Sequence, residues 1–187
     1  RGLTLMSEQA ARMEHLVSEL LTLSRLETSA FKAEAAPIDI TELLNTIRND
    51  ALALSGQQHQ INLVFDNPLR LRGNINELRS AFSNLVFNAV KYTPQGSTIE
   101  LHWYQDPDGA HLKVQDNGPG IDSKHLAFLT QRFYRVDSSR NSHTGGTGLG
   151  LAIVKHVMLR HQGRLEITST IRQGSCFTCH FPLSLTI

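Results

Sequence analysis

Cysteine is scarce in this 187-residue sequence, which contains only Cys176 and Cys179. Two cysteines cannot build a disulfide framework or a four-cysteine zinc site. Together with His180 they do form the C-x-x-C-H pattern of c-type haem attachment. The surrounding residues, however, predict a strand, in which the two cysteines point to opposite faces. We therefore expect two reduced cysteines that serve packing, in a reducing compartment.

Long hydrophobic runs and an excess of one charge are also missing. No apolar run approaches the roughly 20 residues that cross a bilayer, and the first residues lack the order of a signal peptide. The 18 Lys+Arg and 17 Asp+Glu residues nearly balance, so no footprint for nucleic acid or an anionic membrane stands out. Because 40% of the residues are hydrophobic, we expect one soluble domain with a smaller appendage, excised from a longer protein.

The first residues follow a helical period. Leu3, Met6, Ala10, Met13, Val17 and Leu20 step by three and four. This predicts one helix over residues 3–28 with an apolar seam. We expect the seam to pair with an upstream helix and a second copy of the chain in a dimeric bundle; the alternative is a helix folded back onto its own domain. Residues 29–37, which end in a proline, predict a linker.

Strands and helices then follow one another. Period-two patterns predict strands near residues 38–40, 61–65, 99–103, 112–114, 165–167 and 175–183. Helices are predicted up to about residue 55 and over 74–91, 123–130 and 148–161, with Asp39 or Thr41 capping the first and an Asn74–Glu77 capping box on the second. This order predicts an α+β fold in which helices cover one face of a mixed sheet.

One helix carries an unusual polar face. At about 100° per residue, Asn84, Asn88 and Lys91 fall on the side opposite the apolar stripe. Asparagine in mid-helix costs helix propensity, which a merely solvated face would avoid. Two amide oxygens beside a lysine suit a magnesium ion that bridges phosphate oxygens. The alternative is an ordinary polar surface.

Two glycine-rich stretches extend the pattern. Asp116-Asn117-Gly118-Pro119-Gly120 follows a strand, where a carboxylate can accept from an exocyclic amine and glycines admit a flat ring; it also fits a plain tight turn. The run from Gly145 to Gly150 opens a helix whose N–H groups can cradle phosphate. A dinucleotide-binding turn should follow a buried strand, but residues 137–144 are polar, and 137–147 are expected to form a mobile lid.

The motifs N-L-V-F-N-A-V-K-Y-T, D-N-G-P-G-I and G-G-T-G-L-G-L-A-I-V-K, with Phe133-Tyr134-Arg135 before the last, resemble the N, G1, F and G2 boxes of sensor histidine kinases. The resemblance covers nearly the whole chain. It implies that residues 1–28 are the second helix of the dimerisation and phosphotransfer hairpin. Residues 38–187 would be the catalytic domain, a two-layer α/β sandwich of the histidine kinase/Hsp90-like ATPase type. The run R-F-Y-R-V-D-S-S-R is most similar to the phosphate-regulon sensor kinases.

The same resemblance implies a site for ATP and Mg²⁺. Asn88 would be the main magnesium ligand, assisted by Asn84. Lys91 and Arg135 would bind the phosphates. Tyr92 would lie against the adenine, and Asp116 would hold its amino group. The other implied ATP-binding residues are Gly118, Gly120, Ile121, Tyr134, Gly146, Thr147, Gly148, Leu149, Gly150 and Thr178, the last on the strand opposite Asp116.

Hydrolytic ATPases share this fold and are the competing class. They place a glutamate four residues before the magnesium asparagine, to activate water. Asn84 stands there, and an amide cannot act as a general base. The resemblance therefore favours transfer to a protein histidine; a nucleotide-binding scaffold without transferase activity is a further alternative.

The phosphoacceptor motif is absent. None of the nine histidines is followed by an acidic residue and, shortly after, a proline. The acceptor is thus expected on a helix upstream of Arg1, and the chain is not expected to phosphorylate itself. The resemblance further implies a homodimer, a response regulator as partner, and the cytoplasmic portion of a membrane-anchored bacterial protein, without contact to nucleic acid.

Overall fold

The computed structural model describes residues 2–28, 35–66, 70–136 and 146–187, with only the backbone for residues 2–5 and 8. The helices are α1 (Gly2–Thr28), α2 (Ile40–Leu54), α3 (Ile75–Tyr92), α4 (Ser123–Leu126) and α5 (Gly150–Arg160). The strands are β1 (Ala36–Asp39), β2 (Gln60–Phe65), β3 (Arg70–Gly73), β4 (Thr98–Asp106), β5 (Gly109–Asp116), β6 (Arg164–Thr170) and β7 (Gly174–Pro182).

Five of the strands form one mixed sheet. Their order is β2-β4-β5-β7-β6; β2 runs parallel to β4, and the other neighbours are antiparallel. A separate two-stranded sheet pairs β1 with β3. The strand β1 therefore includes Ala36 and Pro37, which the sequence pattern assigned to the linker.

One face of the large sheet carries the core. Alternate residues of β4, β5 and β7 are buried there, facing α3 and α5. Phe82 of α3 packs against Trp103 of β4 and Phe181 of β7, with ring centroids 6.5 and 6.1 Å away. Aromatic pairs at this spacing stabilise a core beyond their buried area. The predicted α+β fold, with helices on one face of a mixed sheet, is confirmed.

The helix starts follow the predicted capping only in part. Asp39 caps α2 by accepting the Glu42 N–H at 3.1 Å, and Asn74 accepts the Glu77 N–H at 3.1 Å. The predicted capping box also requires the Glu77 carboxylate to accept the Asn74 N–H, and this half of the prediction is wrong. The carboxylate instead binds Arg160 of α5 at 2.9 Å. A side chain on another helix thus outcompetes the local contact.

The two cysteines lie as predicted. Cys179 faces the core, whereas Cys176 is on the opposite face and half-buried. Both are free thiols. The haem-attachment pattern is therefore incidental to the strand.

The apolar residues of helix α1 lie in two different environments. Leu23, only 1% exposed, and Leu26 are buried in the core next to α5. Met6, Met13 and Val17 are exposed. The end of α1 is thus folded back onto the domain, and its earlier turns keep an open apolar seam. Among the described residues no helix is long and apolar enough to span a membrane.

Candidate functional site

The polar face of α3 meets the start of α5. Asn84 donates from Nδ2 to the Ser80 carbonyl at 2.9 Å, which leaves its Oδ1 facing Gly150. A Cβ at Gly150 would lie 2.5 Å from that oxygen, so any larger residue there would displace the Asn84 amide. Asn88, one turn further, is half-buried, and its amide has no hydrogen-bond partner within the described parts of the chain. Its oxygen is available to a ligand.

Positive charge gathers at the end of α3. The pKa of Lys91 is lowered by burial and then by the charges of Arg135 and Arg12, while Glu19 opposes them. Gly146 adjoins this lysine, since a Cβ there would lie 2.7 Å from Nζ. Cations held together against their mutual repulsion suit a polyanionic ligand.

The N-terminus of α5 adds backbone donors. No side chain caps this helix, although the Leu149 N–H donates to Thr147 Oγ1 at 3.2 Å. Gly148, with a φ of 76°, accepts the Phe133 N–H at 2.9 Å, and a Cβ there would collide with the Phe133 backbone. Uncapped N–H groups at a helix start attract phosphate.

A buried carboxylate marks the other end of the site. Asp116 ends β5 and is 8% exposed; its Oδ1 accepts N–H groups from Gly118 at 2.8 Å and Ser175 at 3.3 Å. Burial raises the pKa of Asp116, and these two backbone bonds partly offset the rise. Its Oδ2 has no hydrogen-bond partner in the described residues and can accept an amino group. Gly118 is tightly enclosed, since a Cβ there would lie 2.6 Å from Thr93 Cγ2.

Two serines support the loop after Asp116, and sequence reasoning missed both. Ser169 Oγ accepts the Ile121 N–H at 2.8 Å and lies 3.0 Å from Ser175 Oγ. Ser175 is the residue paired with Asp116. Thr178 is not; it pairs with Lys113 and faces the side of the sheet away from the helices. The prediction of Thr178 beside Asp116 is therefore wrong by register, although its strand is the right one.

Two tyrosines flank the site. Tyr92 is 54% exposed, with Lys91 Nζ 5.2 Å from its ring centroid. Tyr134 lies further along the chain, and its hydroxyl is 2.7 Å from His125 Nδ1. Gly120 has a φ of 72°, and a Cβ there would collide with the Thr170 carbonyl oxygen. Of the predicted lid, residues 137–145 lie outside the described residues.

Helix α1 also reaches the site, a contact that no motif indicated. The Thr147 hydroxyl donates to the Glu19 carboxylate, and Glu19 is buried. Eight residues on, Glu27 contacts Arg132 and lies 3.3 Å from His156 of α5. On sequence alone these glutamates are ordinary charges of an amphipathic helix.

Comparison with known proteins agrees with this architecture. The family model "Histidine kinase-, DNA gyrase B-, and HSP90-like ATPase" matches residues 73–185. The phosphate regulon sensor protein PhoR of Pseudomonas aeruginosa is 57% identical over 182 residues, 97% of this chain and 41% of that protein. PhoR of Haemophilus influenzae is 40% identical over 97% of this chain and 43% of that protein.

Solved structures share the fold. Full-length ShkA in complex with AMPPNP superimposes with a TM-score of 0.82 at 26% identity, covering 96% of this chain and 37% of that one. The present chain spans less than half the length of the curated relatives that it matches.

Proposed function

The chain belongs to the family of histidine kinase-, DNA gyrase B- and HSP90-like ATPases, and on this premise we propose that it binds Mg·ATP and transfers the γ-phosphoryl group to a histidine. The resemblance to sensor histidine kinases, and to phosphate regulon sensors among them, is confirmed. The observation that carries the proposal is the position of α1. The helix assigned to the phosphotransfer hairpin borders the phosphate side of the site through Glu19 and Thr147.

Each end of the site has a distinct task in this proposal. Asp116 accepts the adenine amino group through its free oxygen. Lys91, Arg135 and the start of α5 neutralise the negative charge of the phosphates. They also stabilise the charge that moves onto the leaving oxygen as the bond to the γ-phosphoryl group breaks. Because phosphoryl transfer needs positioning more than covalent chemistry, these fixed charges are the main contribution of the domain.

The magnesium assignment rests on the donor set. Among the described residues no group of three or more His, Cys, Asp or Glu side chains could hold a metal. Asn88 and Asn84 instead offer neutral oxygens beside the phosphate-binding charges, as suits an ion that keeps waters and takes phosphate oxygens. Magnesium bound there would neutralise charge on the transferring phosphate.

Replacing Asn88 tests the metal site. Asn88→Ala should weaken ATP binding about tenfold or more with Mg²⁺ and have little effect in EDTA, because only the metal-bridged contact is lost. Calorimetric titration under both conditions measures this. Asn76→Ala, on the exposed first turn of α3, is the control and should bind as the parent does. An equal loss with and without Mg²⁺ would show that Asn88 acts on the nucleotide directly.

A phosphotransfer assay tests the activity. The 187-residue chain, incubated with γ-labelled ATP, should not label itself, because it contains no acceptor motif. Addition of a separate helix carrying a histidine, an acidic residue and a proline in that motif should give acid-labile label on the added helix only. Label on the chain itself would contradict the acceptor assignment. Steady ATP hydrolysis without acceptor would instead favour the ATPase class.

The partners follow from the same proposal. The exposed seam of α1, with Met6, Met13 and Val17, would close a homodimeric helical bundle with an upstream helix. The phosphohistidine would pass its phosphoryl group to a response regulator aspartate in phosphate-responsive signalling. The intact protein would be anchored in the bacterial membrane, with this domain in the cytoplasm.

A further inference from the structure

A chain of four polar side chains crosses the large sheet on the face away from the helices. It links Asp106 of β4, His111 of β5, His180 of β7 and Glu166 of β6, one residue from each antiparallel strand. Asp106 Oδ1 lies 2.9 Å from His111 Nε2. The two Nδ1 atoms of the histidines are 2.9 Å apart, and His180 Nε2 is 3.1 Å from Glu166 Oε2. The histidines face each other because His111 and His180 are paired in register.

A count of the protons shows that this geometry needs one proton more than the two neutral imidazole rings supply. The His111–His180 and His180–Glu166 contacts each need a hydrogen between their two atoms. His111 Nε2 is buried without a hydrogen bond of good geometry, and its lone pair opposes the Asp106 carboxylate 2.9 Å away unless it carries a hydrogen too. Ionised carboxylates contribute no hydrogen, and each neutral imidazole contributes one. Two hydrogens for three contacts leave one contact repulsive. A third proton satisfies all three, and a fourth would set two N–H groups face to face across 2.9 Å.

The surroundings keep the pair enclosed while leaving a route for protons. His111 is 3% exposed, and its ring centroid is 4.8 Å from that of Tyr104. Both histidines line an open cavity of about 200 Å³ between the β4–β5 turn and the start of β6. Solvent can therefore exchange protons with the pair, whereas the ring packing restricts alternative positions for His111.

Charges from each neighbouring strand act on the pair. Burial lowers the pKa of His180, as do Arg164 and His111, while Glu166 opposes this. The interaction with His111 lowers the pKa of Asp106, so that carboxyl stays ionised. The Tyr104 hydroxyl has a raised pKa, chiefly through burial, and stays neutral. Burial and the neighbouring cations thus oppose a charge on the His180 ring, whereas the Glu166 carboxylate favours it.

We propose that His111 and His180 form a proton-binding site, in which one proton is shared between the two Nδ1 atoms and clamps four strands together. The pair takes up a single proton readily, and a second is opposed because it would set two N–H groups face to face. The site is separate from the nucleotide site. Asp116 ends β5, whereas Gly109, the residue paired with Asp106, begins it.

The test is an NMR titration of the histidine rings. In the 187-residue chain the ring protons of His111 and His180 should shift together, with one common midpoint, because one proton serves both. His102 is the internal control, since its Nε2 lies 3.0 Å from Asp66 on the same sheet face without a histidine partner. Its ring signals should not follow those of the pair. Independent midpoints for His111 and His180 would overturn the proposal.

Glu166→Gln sharpens the test. A glutamine amide can donate to His180 Nε2 and supply the missing hydrogen, so the common midpoint should fall by roughly one pH unit or more, with both rings still shifting together. An unchanged midpoint would contradict the proton count. A parallel titration with Zn²⁺ at pH 7 should leave both rings unaffected at stoichiometric metal. If stoichiometric Zn²⁺ saturated the pair, the pair would be a metal site and not a proton-binding site.

Discussion

At Asp116, one oxygen is fixed by the protein and the other is left for a ligand. Two backbone N–H groups hold Oδ1, so the carboxylate cannot rotate freely. We predict that Asp116→Asn lowers ATP affinity about 10- to 100-fold (about 1.4–2.8 kcal/mol), since a charge-assisted bond to the adenine amino group is lost. Affinity for tripolyphosphate should not change. Competition of both ligands against a fluorescent nucleotide measures the difference.

Asp108→Asn, in the exposed turn at the opposite end of β5, is the matched control and should leave both affinities unchanged. If Asp116→Asn weakened ATP and tripolyphosphate equally, the carboxylate would not act on the base. A loss of secondary structure by circular dichroism would point to folding instead, and is checked first.

Individual residues show how far the sequence could predict this site. Asp116 and Gly118 lie together in the turn that follows β5, because this placement depends on local backbone within a few residues; their roles toward a nucleotide stay predictions. Thr178 is misplaced because its partner depends on the register between β5 and β7, two strands that are far apart in the sequence. Ser175 occupies that position, and nothing local distinguishes one hydroxyl from the other.

Among the elements, α1 places a negative charge where phosphate should bind. Glu19 accepts from Thr147 and raises the pKa of Lys91, so it partly neutralises the cations of the site. We predict that Glu19→Gln raises ATP affinity roughly three- to tenfold (about 0.7–1.4 kcal/mol), by removing like-charge repulsion. The effect should shrink at high salt. Nucleotide titration at two ionic strengths measures it.

Glu14→Gln, on an exposed position of the same helix, supplies the control and should bind ATP as the parent does. Equal gains for both variants would indicate a general effect of net charge. No gain for Glu19→Gln would mean that α1 leaves the site when nucleotide binds, so that its charge is never felt.

The elements themselves were predictable wherever a long periodic pattern existed. The helices α2, α3 and α5 and the four long antiparallel strands lie close to their predicted positions. The four-residue strand β3 was missed, since its single buried apolar side chain, Leu71, gives no period. The contacts of Glu77 and Glu19 were equally invisible, because each is made to an element remote in sequence.

For the molecule as a whole, Cys179 reports on the integrity of the sheet. It is fully buried, and burial raises its pKa to about 12 from 9.0. Three pH units reduce the reactive thiolate about a thousandfold. We predict one alkylated cysteine per native chain, Cys176, and two in denaturant, counted by mass spectrometry.

Cys176→Ser is the matched variant, and its native form should take almost no label. Any slow labelling of Cys179 should accelerate with denaturant in step with global unfolding, since β7 is flanked by strands on both sides. Rapid modification of both thiols in the native chain would mean that the β7 region opens locally.

The place of β7 in the sheet also has a consequence for biosynthesis. It follows every other strand in the sequence, yet it lies between β5 and β6. While a ribosome is still making the chain, β5 therefore exposes an unpaired edge, and the core lacks Phe181. Domains of this kind cannot close progressively from the N-terminus, because the central pairing waits until β7 has been translated. Nascent chains stalled before Gly174 should accordingly be the ones that bind chaperones or pair with one another through that open edge.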